Sequence, residues 1–599
     1  MTNRLKKRAV LTFIPILRAL RTTRARPIIA AGLGIAALVA GGAVTQPTAV
    51  GVAPGGTSQS AAAAPASIVA LQPFRTTETV QRADGREIAL TSLNPNVNAW
   101  FLLRLGTAGS GDGETYHLEN PAPGRETLRL VPGSNPRLEI ALDGRTIACA
   151  PWAQGDKELL AARSGGFPFA PICGGHLFLR NPVAGHSTRL EQTASFIRNN
   201  VVGGEAIVNL VKTLFFKDAF RVVAPGPLAA PVTVTGGIAG GPPPARSRHY
   251  SVRTEIGLRL EQPRLGEMAL GQWYALSGVP GVYASAIQPG VIDAAVLNGP
   301  GTTNPLDRVE AGSMDYLVAF DLSRFRLGYA VGTSNPGLGW SPRPPASVRP
   351  TGWAGPDGLG SPAPLVRLGM LDPVLAPRVV ATFAAGFKRR HGAFKTGPLS
   401  RINHGSHYGF IQQGVVLSTL QPGLATLLVM EDGSIRMKTW SVADNSLLPH
   451  VRFARQNGVP LLEADPAGGV GVPGGLVSKS EDGNWSGSAN NRLRTLRAGA
   501  CMIGRGERAY LVYAFFSTAT PSAMARTFRA YGCAYAMLLD MNALEHTYFA
   551  IYDRSNGTRR IEHLMPGMAA VDRRDGNGGR QARFVDYPDN RDFFYILSR

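Results

Sequence analysis

The chain has 599 residues, room for two to four domains at ~150 residues each and for a sizeable buried core. A hydrophobic fraction of 44% with 17% charged residues excludes a disordered polyelectrolyte and a coiled coil, and 71 Gly with 45 Pro favour turn-rich β structure over long helices. The formal charge of +21 rests on 53 Arg and nine Lys, a skew that coding bias alone produces. No zinc-finger, RRM or homeodomain pattern accompanies it, so a nucleic-acid partner is not expected.

Residues 1–26 hold eight basic side chains (Arg4, Lys6, Lys7, Arg8, Arg18, Arg21, Arg24, Arg26) and no acid, and residues 28–44 follow without a charge. This is the order of an export signal, its positive end kept in the cytoplasm. The apolar run sits at the short limit for crossing a ~30 Å hydrocarbon core. A cleaved signal peptide and an uncleaved anchor both satisfy the pattern; the long basic region and the lack of an A-x-A site near Val44 favour the anchor. The expectation is a cytoplasmic n-region (1–26), a signal or inner-membrane anchor (27–45) and an Ala/Pro/Gly/Ser linker (46–66). The rest is exported to the periplasm or another extracytoplasmic space. The n-region takes eight of the 21 positive charges and leaves +13 for the remainder.

Export changes the meaning of Cys149, Cys173, Cys501 and Cys533, an even number outside the reducing cytosol. Pairing of Cys149 with Cys173 and of Cys501 with Cys533 is expected, with four free buried thiols as the alternative. Residues 67–223 read as an accessory α+β module. Strands are expected at 100–105 (WFLLRL), 127–130 and 138–142, between Gly, Pro and Asn turns. Thr188 and Glu191 then form a capping box before Leu190, Ala194 and Ile197, and a second helical stretch runs over 207–215. No chemistry is read in this module. Residues 224–248 are a Pro/Gly linker.

The main domain covers 249–599. Strands are expected at 282–287, 316–320 and 379–383, and a hairpin at 425–440 turns at Glu431-Asp432-Gly433. Residues 509–516 (AYLVYAFF) read as a strand, Thr520-Pro521 as a helix start, Gly532 as its stop and 533–539 as a buried strand ending at Asp540. That order implies a parallel βαβ crossover. The fold class is therefore α+β: a small α+β module, then a larger mixed α/β domain with a central sheet and a βαβ unit near 509–540. Asp540 at a strand end suits a ligand crevice, and equally a carboxylate capping the next turn.

Several segments stand in a familiar collinear order: ATFAAGFK (381–388), ATLLVMEDGSIRMKTW (425–440), VRFARQNGVPLLEAD (451–465), RTLRAGACMIGRGERAYLVY (494–513), YGCAYAMLLDMN (531–542) and RDFFYILSR (591–599). Together, over roughly 273–599, they resemble the phosphodiester glycosidase family, which includes the uncovering enzyme that removes N-acetylglucosamine from a phosphodiester-linked mannose. The family's N-G-G-F segment falls on Ala384, Ala385, Gly386 and Phe387. Its Arg- and Gly-bearing strand falls on Arg494 or Arg497 with Gly499. Its L-D-G-G-G-S segment falls on Leu539, Asp540, Met541, Asn542, Ala543 and Leu544. Met541 and Ala543 stand where glycines would let backbone N–H groups approach a phosphate, and exported bacterial members with an L-D-I-N-type ending match better at Asp540 and Asn542.

Cleaving a sugar from a phosphodiester releases an anionic phosphate that needs little protonation. Carboxylates to activate water or attack, and cations to hold the diester, are the required types. The candidate catalytic residues are Asp540, Glu545 and Arg497. The candidate substrate-binding residues are Lys388, Gly386, Arg494, Asn542, His404, His407 and Asp465. His391, His404 and His407 match no metal-ligand spacing, so neither a metal nor another cofactor is expected. Two functions are carried forward. The first is an exported phosphodiester glycosidase-like hydrolase acting on sugar-phosphate linkages of envelope or exopolymer glycans. The second is a non-catalytic envelope protein that binds or assembles anionic glycans on a degenerate domain. Convergence of Asp540, Arg497 and one of Glu545, His404 or His407 in one cleft favours the first; Asp540 buried as a turn cap speaks against it.

Overall fold

The computed structural model describes residues 64–82, 84–107, 113–200, 217–223, 238–261, 266–299, 301, 303–402, 404–405, 409–480, 490–505 and 508–599. The basic n-region, the apolar segment, most of the linker after it, the stretch 207–215, most of 224–248 and His407 lie outside these residues. Among the described residues no helix is long and apolar enough to cross a membrane.

The alternating segments pair with one another, and the result is mostly β with few helices rather than α+β. The physical reason is in the punctuation. Gly and Pro cut the helical runs short, while the closely spaced turns let successive strands pair antiparallel. The first described sheet has six strands, ordered Thr76–Gln81, Arg86–Ser92, Trp100–Thr107, Gly113–Glu119, Leu177–Arg180 and Phe169–Ile172. A three-stranded sheet of Glu126–Val131, Arg137–Leu142 and Arg145–Cys149 accompanies it. Helix Arg189–Asn200 follows.

Beyond residue 249 an eight-stranded sheet runs Trp273–Ala275, Val282–Ile287, Asp315–Asp321, Arg508–Ala519, Thr495–Arg505, Tyr535–Met541, Pro460–Glu463 and Val472–Pro473. The expected parallel crossover is present: helix Pro521–Ala530 connects the parallel strands Arg508–Ala519 and Tyr535–Met541 of one sheet, but the two are not neighbours, because Thr495–Arg505 lies between them and pairs antiparallel with both. The sequence of 509–540 alone could not show this, because the intervening strand precedes the unit in the chain. Thr520 caps the helix by accepting from the Ala523 N–H, and Pro521 takes the first turn. The helix packs onto Gly499, where a Cβ would come within 3.0 Å of both Met524 and Phe528.

A five-stranded sheet (Phe325–Ala330, Phe593–Ser598, Val379–Ala384, Phe549–Asp553, Arg560–His563) packs on the eight-stranded one through aromatic rings. Tyr513 of the larger sheet lies 5.3 Å from Phe383 and 4.8 Å from Phe549, and Phe383 lies 5.5 Å from Phe594. Burying four such rings supplies much of the local stabilisation, at roughly 1.5–3 kcal/mol per large apolar side chain. A second five-stranded sheet contains the 425–440 hairpin, observed as Ala425–Met430 and Ile435–Thr439. Residues 64–599 form one compact unit.

Both expected disulfides are present, Cys149–Cys173 and Cys501–Cys533, with Cα–Cα distances of 5.5 and 5.8 Å. Two disulfides and no free cysteine suit an oxidising, extracytoplasmic environment.

Candidate functional site: a buried ionic cluster around Arg591

Asp540 ends the strand Tyr535–Met541 as expected, and its side chain is buried. One carboxylate oxygen accepts from the Met541 N–H at 2.8 Å, and the other is ion-paired to Arg591. The chain then turns through Asn542, whose φ of 78° is a left-handed conformation that Asn tolerates better than most residues. Asn542 accepts from the Thr495 hydroxyl at 3.0 Å and so fixes the turn rather than facing the cluster. That turn delivers Glu545 and His546. His546 donates from Nδ1 to the Met541 carbonyl at 2.8 Å, which leaves Nε2 2.8 Å from Arg591 and 3.3 Å from the Glu545 carboxylate.

Two further strands aim their ends at the same place. Val379–Ala384 runs into Ala385-Gly386-Phe387 and then Lys388; Arg591 stands just before Phe593–Ser598. Asn457, after the strand Val451–Gln456, ties these ends together. Its amide donates to the Leu538 and Leu539 carbonyls at 2.8 and 2.7 Å and accepts from the Phe387 N–H at 3.0 Å. Arg455 pairs with Asp592 at 2.6 Å, both fully buried, and also donates to the Phe387 carbonyl at 2.7 Å. Gly386 is required here, because a Cβ would lie 2.7 Å from Asn457 Oδ1.

The remaining member comes from the module in which no chemistry was expected. Glu191 sits in the first turn of helix Arg189–Asn200, and its N–H donates to Thr188 Oγ1 at 3.2 Å. Half of the expected capping box is therefore real. The Glu191 carboxylate instead lies 2.8 Å from Lys388 Nζ and 2.9 Å from Arg591.

The electrostatics follow from this packing. Burial alone would raise the Glu191 carboxyl, but Arg591, Lys388 and His546 hold it far below the usual range. Burial likewise opposes ionisation of Glu545, and hydrogen bonding and charge from His546, with Thr188 and Arg591, bring it down to about 2. Burial lowers the Lys388 ammonium against the pull of Glu191. Arg591 is held above its ordinary value because Glu191, Asp540 and Glu545 outweigh its desolvation. The cluster thus presents two cations, three carboxylates and one imidazole. These can hold an anionic group and activate a water, and among the described residues they form no metal-type grouping.

The other candidates lie elsewhere. Arg497 does not meet Asp540. It contacts the Met541 sulfur at 3.4 Å, on the face of the strand opposite Asp540, and donates to the Ala519 and Leu493 carbonyls. Arg494 is ion-paired with Asp218 at 2.9 Å and with Asp307. Asp465 caps its own loop by accepting from the Ala467 N–H at 3.0 Å. His404 donates to the Val348 carbonyl at 2.9 Å and lies 6.5 and 6.4 Å from the rings of Trp340 and Trp353, beside a small cavity also lined by Pro344, Pro356 and Arg389. Sequence reasoning missed Glu191, Arg591 and Asn457. The only signal for the first was a T-x-x-E box, which a helix cap explains equally well.

No family model matches the chain, and no curated protein matches it. Among solved structures a hypothetical protein from Synechocystis is similar at 11% identity, covering 88% of this chain and 99% of its own, with a TM-score of 0.21. That likeness carries no argument about fold or activity.

Proposed function

We propose that the protein is an exported hydrolase of the phosphodiester glycosidase type, acting on sugar-phosphate linkages of envelope or exopolymer glycans. The observation that supports this reading is the meeting of Asp540, Glu545 and His546 with Lys388 and Arg591 at the ends of strands from two facing sheets. Arg591 and Lys388 would hold the diester oxygens, with Arg591 offering paired donors. The leaving phosphate stays anionic, so the cations stabilise the charge that develops on it. Asp540 or Glu545, both set beside Arg591, would serve as nucleophile or as base toward water. In this scheme Arg591 takes the role that the family resemblance assigned to Arg497. The test is release of free sugar from a panel of sugar-1-phosphodiesters. The wild type should turn over one of them and Asp540→Asn should not; equal rates in both would remove Asp540 from the chemistry.

A second reading is favoured by two observations. Asp540 is buried and caps its own turn, and the small cavity beside His404 is edged by the partly exposed Trp340 and the exposed Arg390, types suited to stacking on a sugar ring and pairing with its acidic groups. On this reading the chain binds anionic glycans without cleaving them. Retention on an acidic glycan column that Trp340→Ala abolishes, with no sugar released by wild type from the whole panel, would select it.

A further inference from the structure

The carboxylate of Glu191 is held as a substrate oxyanion would be. One of its oxygens is shared between Lys388 Nζ at 2.8 Å and Arg591 at 2.9 Å, with side-chain exposures of 5% for Glu191, 14% for Lys388 and 5% for Arg591. Nothing in helix formation requires this. A glutamate in a first helical turn can reach back to the N-cap backbone, at modest gain. Placing it between two buried cations on another part of the chain answers their need for an anion instead. Glu191 Oε1 and Arg591 Nε are both buried without a well-formed hydrogen bond among the described residues, so the carboxylate is held by charge and the cationic side of the seat is not fully used by it.

The segment that carries Glu191 is strapped down just before the helix. The His186 N–H donates to the Pro588 carbonyl and the Asn590 N–H to the His186 carbonyl, both at 2.9 Å. Gly185 fits there only because it lacks a Cβ, which would lie 2.1 Å from Thr333 Oγ1 and 2.6 Å from the Asp589 carbonyl carbon. The strap ends beside Arg591 itself. It therefore keeps the Glu191 carboxylate at high effective concentration over the seat without fixing the side chain covalently.

We propose that Lys388 and Arg591 form an oxyanion-binding seat that Glu191 occupies as an internal competitor, so that a phosphate-bearing ligand must displace this carboxylate to bind beside Asp540. The seat stands on the geometry; only the identity of the displacing group, one phosphate of a sugar phosphodiester, rests on the hydrolase reading.

The test uses the full chain and inorganic phosphate as the probe. Titration calorimetry should show phosphate binding at least about tenfold tighter in Glu191→Gln than in the wild type, with the gain lost in Glu191→Gln/Lys388→Gln. If Glu191→Gln does not fold, Glu191→Ala is refolded with phosphate and with chloride at matched ionic strength. A thermal midpoint that rises with phosphate alone supports the seat, and no phosphate-specific rise overturns it. Equal phosphate affinity of wild type and Glu191→Gln also overturns it, whatever the turnover. Tighter phosphate binding with no sugar released from any diester leaves the seat standing and removes the hydrolase reading, whereas sugar release without any gain in phosphate binding does the reverse.

Discussion

Arg583 and Asp589 form a two-point ion pair, Nε to Oδ2 at 2.8 Å and Nη2 to Oδ1 at 2.9 Å, with each side chain 2% exposed. The pair links the two halves of the ionic cluster. Asp589 also accepts from the Arg591 N–H at 2.9 Å, and Arg583 donates to the Glu545 carbonyl at 2.5 Å. Removing one partner leaves a buried charge without compensation, so Asp589→Asn should lose about 3–5 kcal/mol of stability in urea unfolding. Replacing both partners with apolar residues, as in Arg583→Met/Asp589→Leu, should cost clearly less than the sum of the single changes.

Gly386 sits where three strand ends are tied together. An added methyl would press on Asn457 Oδ1 at 2.7 Å, and Asn457 cannot retreat without loosening its bonds to the Leu538 and Leu539 carbonyls, directly ahead of Asp540. Gly386→Ala should therefore destabilise by about 1–3 kcal/mol, the range for an overpacked core, with a lowered urea midpoint at unchanged slope. Its turnover defect should exceed that of a surface substitution of equal stability.

Arg497 and Arg591 separate structure from function. Arg497 is fully buried, and desolvation pulls its guanidinium down to about 9 with only Glu310 opposing. Its donors satisfy backbone carbonyls at 493 and 519. Arg497→Met should lose about 1–3 kcal/mol for the carbonyls left unsatisfied, while sugar release per folded molecule stays at the wild-type level. Arg591→Met should abolish release. A turnover loss in Arg497→Met beyond the unfolded fraction would return Arg497 to the site.

The strands were legible because their signals are local. Residues 282–287 alternate and are bounded by turns, and the observed strand Val282–Ile287 has those limits. Asp540 at its strand end and the two cysteine pairings were equally open to local reading. What could not be read is which distant segments share a place. Thr495–Arg505 inserts between the two strands of the expected βαβ unit, and nothing in its sequence says so. Glu191 was assigned to a helix cap because T-x-x-E has that local explanation, while its partners Lys388 and Arg591 lie in a different part of the chain. Arg497 is singled out in the sequence by the family alignment in a strand setting, whereas nothing local marks Arg591.

The disulfide Cys501–Cys533 links the strand Thr495–Arg505 to the residue after Gly532, across a separation of 32 residues. Closing a loop of that length removes unfolded-state entropy worth about 3–4 kcal/mol. Cys501→Ala/Cys533→Ala should lose about that much, and Asp540-dependent turnover should become sensitive to temperature, since the strand carrying Asp540 starts just after the bridge. The Cys149→Ala/Cys173→Ala variant provides the control, because that bridge lies in the first described part of the chain, away from Asp540.

Acid should open the cluster through its carboxylates. Burial works to raise the Glu545 carboxyl, but His546, Thr188 and Arg591 bring it from 4.5 to about 2, and Glu191 is lowered as well. A carboxyl with a depressed pKa in the folded state binds fewer protons there than when unfolded, so its contribution is complete above the unfolded value and is lost as pH falls through the folded one. For Glu545 that window runs from about pH 4.5 to about pH 2. The urea midpoint of the wild type should fall steeply across it. Glu545→Gln starts lower at neutral pH because His546 and Arg591 lose an anion, and its curve should be flatter over the same window. Parallel curves for the two proteins would show that Glu545 does not carry the folded-state charge assigned to it.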